Sequence, residues 1–167
     1  MYPIMRAPMP RAPGQDVLLD TAIGNPVPNT QASTITMPLA AQGLVSKVIS
    51  PSVIRAVPHP RYNCHGLSLG ARRTAILDDA TVSTILEDDG YKPIQSRDVL
   101  PGDLAIYYTE EGTIDHSAIV VSKPESPAWI PLVVSKWGVI GSEVLHPATD
   151  LTPGYAVADI RYYRILP

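Results

Sequence analysis

The chain has 167 residues, of which 45% are hydrophobic and 17% charged, and a formal net charge of −3 at pH 7. This length and apolar content fit one domain with a real core and exclude wholesale disorder. The negative charge argues against nucleic acid as a partner, and no apolar run is long enough to predict a membrane partner. With a single cysteine the domain has no internal disulfide, so a reducing compartment suits it.

The front of the chain is rich in proline. Ten of the eighteen prolines precede Arg61, which disfavours regular helix there. We therefore expect residues 1–15 to form a flexible arm and residues 16–167 to form a single domain, with its recognisable motifs in 60–165. No signal-peptide pattern is visible, which predicts a protein that is cytoplasmic as made and is exported, where it is exported, by a dedicated secretion system.

The only cysteine follows a residue that commonly begins helices. Asn63 is a good N-cap, which would place Cys64 at the first helical position, where free N–H groups and the helix dipole favour a thiolate. A free thiol has a pKa of about 8.5 and needs an imidazole beside it to act as a nucleophile at neutral pH. A free cysteine is also often no more than a small buried hydrophobe. Cys64 is thus a candidate nucleophile.

Two helices are predicted after this point. The helix that begins at Cys64 is expected to extend through 71–77, although Gly70 weakens that extension. A second helix is predicted over 79–87, with Asp79 as its cap and Gly90 at its end. The basic pair Arg72-Arg73 is interpreted as a solvated helix face.

A β-hairpin carries the candidate base. In residues 99–108 a Pro-Gly turn leads into a strand rich in branched and aromatic residues, residues 110–112 form the loop, and the returning strand covers 116–121. Alternate residues of the second strand share one face, beginning with His116. If that face turns toward the helix of Cys64, the imidazole lies beside the thiol, as a Cys-His hydrolase requires.

The later segments 132–138 and 155–163 are predicted strands. Helices followed by antiparallel strands indicate an α+β domain.

Taken in order, the motifs of the chain resemble the papain-like cysteine hydrolases of the NlpC and CHAP types. They are N-C-x-G at 63–66, P-G-D-L at 101–104, H-S-A-I-V-V at 116–121 and the strand L-V-V-S-K-W-G at 132–138. A less characterised branch, with Y-N-C, S-K-x-G, a following histidine and a terminal Y-Y-R, looks closer still. The resemblance implies a papain-like α+β fold, with N-terminal helices that carry the nucleophile packed on an antiparallel sheet. One departure is Asn63, where these enzymes usually carry aspartate.

The third catalytic residue has several candidates in the sequence. In the resemblance it follows the histidine strand, where this chain offers Ser135 and Lys136. A charged lysine cannot accept the imidazole N–H, so Ser135 is the better candidate to orient His116. Glu143 and His146 remain alternatives.

Together these features predict a cysteine peptidase or amidase that needs no cofactor and acts on a protein or a peptidoglycan peptide. A bacterial effector or toxin of this kind would also need a cognate inhibitor protein in the producing cell. The alternatives are a catalytically inactive binding module on the same fold and a cysteine-dependent deamidase or acyltransferase. A zinc site is the chemical rival, although no C-x-x-C or H-E-x-x-H spacing is present. Its ligands would come from His59, Cys64, His65, His116 and His146.

Overall fold

The computed structural model describes residues 16–31, 53–56, 58–125, 127–139, 141–151 and 155–166. These residues form one seven-stranded sheet in the order β1-β6-β5-β4-β3-β7-β2, in which every neighbouring pair is antiparallel. The strands are β1 (Val53–Ala56), β2 (Tyr91–Ile94), β3 (Leu104–Tyr108), β4 (Ile114–Val120), β5 (Leu132–Lys136), β6 (Glu143–Pro147) and β7 (Asp159–Ile165). The described residues also contain two α-helices, α1 (Cys64–Ser68) and α2 (Asp79–Asp88), and a 3₁₀ turn at Ser96–Asp98.

The expected papain-like α+β fold with N-terminal helices is wrong, because a single antiparallel sheet dominates the architecture and only two short helices accompany it. The predicted extension of α1 through 71–77 is absent. Ala71 and Arg72 have positive φ angles of 50° and 63°, which lie outside the right-handed helical region. No helix forms in residues 16–31.

The predicted β3–β4 hairpin is confirmed. Strand β3 begins at Leu104 after a turn in which Gly102 has a φ of 98°. Strand β4 begins at Ile114, two residues earlier than expected. Its register shifts between two successive pairs, Tyr107 with His116 and Tyr108 with Ile114. The extra residue of this bulge lies beside His116, where it sets the face of the sheet on which the imidazole lies.

The sheet is covered on both faces. We call the side that carries α1 and α2 the helix face and the other side the opposite face. The helix-face core consists of Val27, Ile76, Val82, Ile85, Leu86, Leu104, Ile106, Tyr108 and Ile114. The opposite-face core consists of Val99, Ala105, Tyr107, Ala118, Val120, Val133, Ala148 and Tyr162. Because both sides are buried, the central strands are apolar on both faces.

Helix α2 forms as predicted, with one correction at its start. Its cap is Asp78, one residue before the predicted Asp79, and the Asp78 carboxylate accepts the Thr81 N–H at 2.8 Å. Gly90, with a φ of 74°, follows the end of the helix. No helix in the described part of the chain is long and apolar enough to cross a bilayer.

Residues 16–31 pack beside α2 and the segment before it. The Asn29 amide donates to the carbonyls of Val17 and Val27 at 3.0 and 2.8 Å. Thr30 forms an antiparallel bridge with Ala75. This segment therefore packs against the rest of the domain, whereas the expected arm 1–15 lies outside the described residues.

Candidate catalytic site

The start of α1 is fixed by one asparagine and one glycine. The Asn63 side-chain oxygen accepts the N–H groups of Gly66 and Ile76 at 2.9 and 3.1 Å, and its amide donates to the Ile76 carbonyl at 2.6 Å. At Gly66 a Cβ would lie 1.8 Å from the Thr74 carbonyl oxygen, so that position accepts only glycine. Asn63 thus caps the helix and joins it to the chain 13 residues later, which places Cys64 at the first helical position, as predicted.

The Cys64 thiol is buried, with 5% of the residue exposed. Burial raises the pKa of the thiol to about 11, while the backbone N–H groups of Ser117, His65 and Cys64 itself act in the opposite direction. In this conformation the sulfur is therefore protonated at neutral pH and lies within reach of several backbone donors.

The thiol lies where two strands diverge. The backbone N–H and C=O of Val120 bond to the turn before β3, so alternation along the strand directs those of Ser117 toward β5. Strands β4 and β5 pair from Val120 to Ala118. The next pair would join Ser117 to Lys136, but the paired register ends before it. The backbone N–H of Ser117 lies close enough to the Cys64 sulfur to lower the pKa of the thiol.

His116 lies on the opposite face and is fully buried. Its ring centroid is 4.3 Å from that of Tyr155 and 5.2 Å from that of Tyr107. Neither ring nitrogen has a hydrogen-bond partner among the described residues. Burial lowers the pKa of His116 well below its usual value, and the nearby rings of His65 and His146 act in the same direction. The imidazole is therefore neutral, and neither nitrogen is used in a structural bond.

Helix α1 does not pack on the side of the sheet that carries His116, so the expected orientation is wrong. The helix lies on the helix face, where Nδ1 of His65 is 2.9 Å from the Ser117 hydroxyl. Tyr155 links the two groups, because its ring packs on His116 and its pKa is raised by burial and by charge on Cys64. Thiol and imidazole thus belong to one cluster, and no hydrogen bond joins them in this conformation.

Ser135 and His146 bond to each other. The Ser135 hydroxyl lies 2.8 Å from Nε2 of His146, and Nδ1 of His146 lies 2.8 Å from the Pro147 carbonyl oxygen. Since the carbonyl can only accept, Nδ1 carries the proton and Ser135 donates to Nε2. Both nitrogens of His146 are used, and neither residue bonds to His116.

Glu143 belongs to a separate group on the helix face. Its carboxylate accepts the Tyr62 hydroxyl at 2.6 Å and two N–H groups of Arg72 at 2.7 and 3.1 Å. Burial raises the pKa of Glu143, but the bonds from Arg72 and Tyr62 outweigh it and leave the pKa below its usual value. Arg72 thus forms an ion pair outside any helix, which corrects its interpretation as part of a solvated helix face.

Lys136 is fully buried on the helix face. Its ammonium group donates to the carbonyls of Gly138 and Val139 at 2.8 and 2.5 Å and lies 5.1 Å from the Tyr62 ring centroid. Burial lowers the pKa of Lys136 to about 8, opposed by the charges of Cys64 and Glu143.

Successive residues of a strand point to opposite faces of the sheet, so the predicted strand already places Lys136 and Ser135 on different faces. This alternation is the signal in the sequence from which the position of Lys136 could be predicted. Tyr155 had no such signal in the sequence, because its place against His116 depends on how a distant loop folds back.

A cleft of about 640 Å³ lies on the opposite face. Tyr155 is part of its wall and also packs on the imidazole of His116, so its ring lies between His116 and the cleft. The rest of the wall includes Trp129, Ile130, Leu151, Val157, Ile160 and Tyr162.

The chain matches no family model, no curated protein and no solved structure. Within the described ranges, no three His, Cys, Asp or Glu side chains are grouped so that they could hold a metal ion.

Proposed function

We propose that the protein is a cysteine hydrolase that cleaves an amide bond of a protein or a cell-wall peptide. The observation that carries this proposal is the juxtaposition of two uncommitted groups. The backbone N–H of Ser117 is close enough to Cys64 to lower the pKa of its thiol, and the preceding residue, His116, has two buried ring nitrogens without partners in the described part of the chain. Buried polar groups are normally paired, and a general base needs a free nitrogen. The neighbouring Tyr107 hydroxyl likewise has no hydrogen-bond partner within the described ranges.

The mechanism starts from a neutral thiol and a neutral imidazole. The thiol proton moves to a ring nitrogen of His116, and the thiolate sulfur of Cys64 forms a bond to the carbonyl carbon of the substrate. The oxyanion accepts backbone N–H groups at the start of α1. The C–N bond then breaks as His116 protonates the leaving amine. Water, deprotonated by His116, hydrolyses the thioester and regenerates the thiol.

The function is tested by mass spectrometry of peptidoglycan and of a cell lysate after incubation with the protein. The wild type should generate new peptide termini, whereas Cys64→Ala should generate none because the attacking atom is gone. His59→Ala is the matched histidine control, since His59 is exposed, and it should behave as the wild type. Products formed equally by Cys64→Ala would refute the proposal. Conversion of glutamine side chains to glutamate without chain cleavage would instead identify a deamidase.

A second candidate is a catalytically inactive binding module, which is favoured by the burial of Cys64 and the raised pKa of its thiol. Alkylation at mildly acidic pH separates the two candidates. An enzyme should react faster with His116 present than in His116→Phe, because the imidazole takes the thiol proton. A module should react slowly in both forms.

A further inference from the structure

The ammonium group of Lys136 is held in place by hydrogen bonds to backbone carbonyls rather than to a carboxylate. Its side chain is fully buried, and its partners are two backbone carbonyls in the turn after β5, those of Gly138 and Val139. A lysine ammonium has three N–H donors, so one is left after these two bonds. The carboxylate of its cross-strand partner Glu143 is bonded to Arg72 and Tyr62 and compensates the buried charge only in part. Because a buried cation is costly, a second anionic partner would stabilise it.

The position of Lys136 in the sheet brings it to the thiol. It is the residue that would pair with Ser117 if β4 and β5 continued, and the Ser117 hydroxyl lies 2.9 Å from the ring of His65, the residue after Cys64. Lys136 alternates with Ser135 and so points to the helix face, where it lies over the ring of Tyr62, two residues before Cys64. Cys64 and the ammonium thus approach each other from α1 and from β5.

The other charged groups around Cys64 and Lys136 either form an ion pair with each other or repel a thiolate. Arg72 is committed to Glu143 in a two-point ion pair. Asp115 disfavours negative charge on Cys64. The titratable groups that surround the pair are Tyr62, His65, Arg72, Asp115, His116, Glu143 and Tyr155. Since Arg72 is bonded to Glu143, Lys136 is the cation among these described neighbours that can interact with the thiol.

We propose that the Lys136 ammonium group is the counter-charge that stabilises the Cys64 thiolate, so that ionisation of the thiol depends on Lys136. The inference rests on the proposed function only in making that thiolate the nucleophile. Burial disfavours both charges, and their attraction favours both, so the two groups titrate as a pair. An opposite charge within about 4–6 Å lowers the pKa of an acid by about 1–3 units.

The pH dependence of alkylation tests this pair. The full chain is treated with iodoacetamide across a pH range, in which the thiolate sulfur forms a bond to carbon and iodide leaves. Lys136→Met should raise the pH of half-maximal reaction by about one to two units and slow alkylation at pH 7 by about 10- to 100-fold. Lys92→Met, at an exposed lysine on the edge strand β2, should leave the profile unchanged. A folded Lys136→Met protein with the wild-type profile would overturn the proposal.

The reciprocal measurement applies even where Lys136→Met fails to fold. Two coupled sites shift each other by the same free energy, so a thiolate that gains from Lys136 must raise the pKa of Lys136 in return. The ¹³Cε resonance of Lys136, identified by its proximity to the Tyr62 ring, is titrated in the wild type and in Cys64→Ala. The pKa of Lys136 should be lower in Cys64→Ala, and equal values would refute the pair.

Neither measurement requires a substrate, so the two proposals fail separately. A coupled pair in a protein without hydrolytic activity refutes the proposed function alone. An active hydrolase with uncoupled groups refutes the role of Lys136 alone.

Discussion

His116 is the residue whose burial is hardest to explain by stability. Two ring nitrogens lie in the core without partners among the described residues, and each unsatisfied buried polar group costs about 1–3 kcal/mol. Such a residue resembles the groups that active sites retain at the expense of stability. An apolar ring of similar size should therefore suit this position better than histidine does.

We predict that His116→Phe raises the free energy of unfolding by about 1 kcal/mol, because it removes two unpaired polar atoms from the core. The same variant should lose hydrolysis, since it has no base. His146→Phe is the matched control, and it should lower the free energy of unfolding by about 1–3 kcal/mol because both nitrogens of His146 are bonded. Urea unfolding measures both changes, and destabilisation by His116→Phe would contradict a functional reason for the histidine.

Histidine burial also sets how stability depends on pH. Burial lowers the pKa of His65 to about 4 and places that of His116 well below its usual value. Above the unfolded pKa of about 6.5 these histidines are neutral in both states, and the stability of the fold is complete. As the pH falls from about 6.5 toward the folded-state pKa values, the unfolded chain binds protons that the folded chain does not, and stability is lost. We predict that the free energy of unfolding falls below pH 6.5 by up to about 1.4 kcal/mol per pH unit for each of the two histidines. Urea titrations at several pH values measure this slope, which should be shallower in His116→Phe.

At the scale of elements, α1 is too short to be stable alone. It has five residues, whereas isolated helices shorter than about 12 residues are marginal in water. Its stability comes from Asn63 and from packing on β4 and β5. The position of the thiol therefore depends on one side chain that precedes it.

We predict that Asn63→Ala lowers the free energy of unfolding by about 2–4 kcal/mol, more than the typical cost of about 1 kcal/mol for an N-cap. The reason is that Asn63 also satisfies both backbone groups of the buried Ile76. Asp78→Ala is the matched control, because Asp78 caps α2 at an exposed end, and it should cost about 0.5–2 kcal/mol. Thermal unfolding compares the two variants, and equal losses would contradict the tie to Ile76.

The elements differ in how far the sequence predicts them. Helix α2 and the β3–β4 hairpin are set by local signals, namely a cap, two glycines and branched residues, and both are confirmed. The point at which α1 ends is not set by the residues next to it. Arg72 takes a positive φ while it is bonded to Glu143, which lies 71 residues away in the sequence. The local sequence does not determine which side of the sheet α1 covers either, since both faces of the sheet are apolar.

At the scale of the whole molecule, the resemblance to papain-like enzymes predicts a thiol before a histidine strand but not the sheet-dominated fold. Short motifs fix the order of groups along the chain, whereas the balance of helix and sheet depends on the segments between them. The bond between Ser135 and His146 illustrates the same limit. It arises from the register of β5 against β6, in which Val133 faces His146, and no local pattern specifies that register.

The segment 16–31 covers α2 and completes the helix-face core. Val27 is 2% exposed and packs in that core, whereas Leu18 is 55% exposed. We predict that Val27→Ala lowers the free energy of unfolding by about 2 kcal/mol, through lost burial and a residual cavity. Leu18→Ala should change it by less than about 0.5 kcal/mol. Urea unfolding of the two variants tests this, and equal effects would show that the segment adds little to the core.

The backbone N–H of Ser117 lies close enough to the Cys64 sulfur to lower the pKa of the thiol, which makes this amide a natural spectroscopic reporter. Ionisation of the thiol should attract the amide proton and move its resonance downfield, while alkylation should displace the amide and speed exchange of the proton with solvent. A single resonance would then follow the state of a buried sulfur in the intact protein. In a screen for compounds that modify cysteine, those that leave this peak unchanged would be recognised as ligands of some other surface.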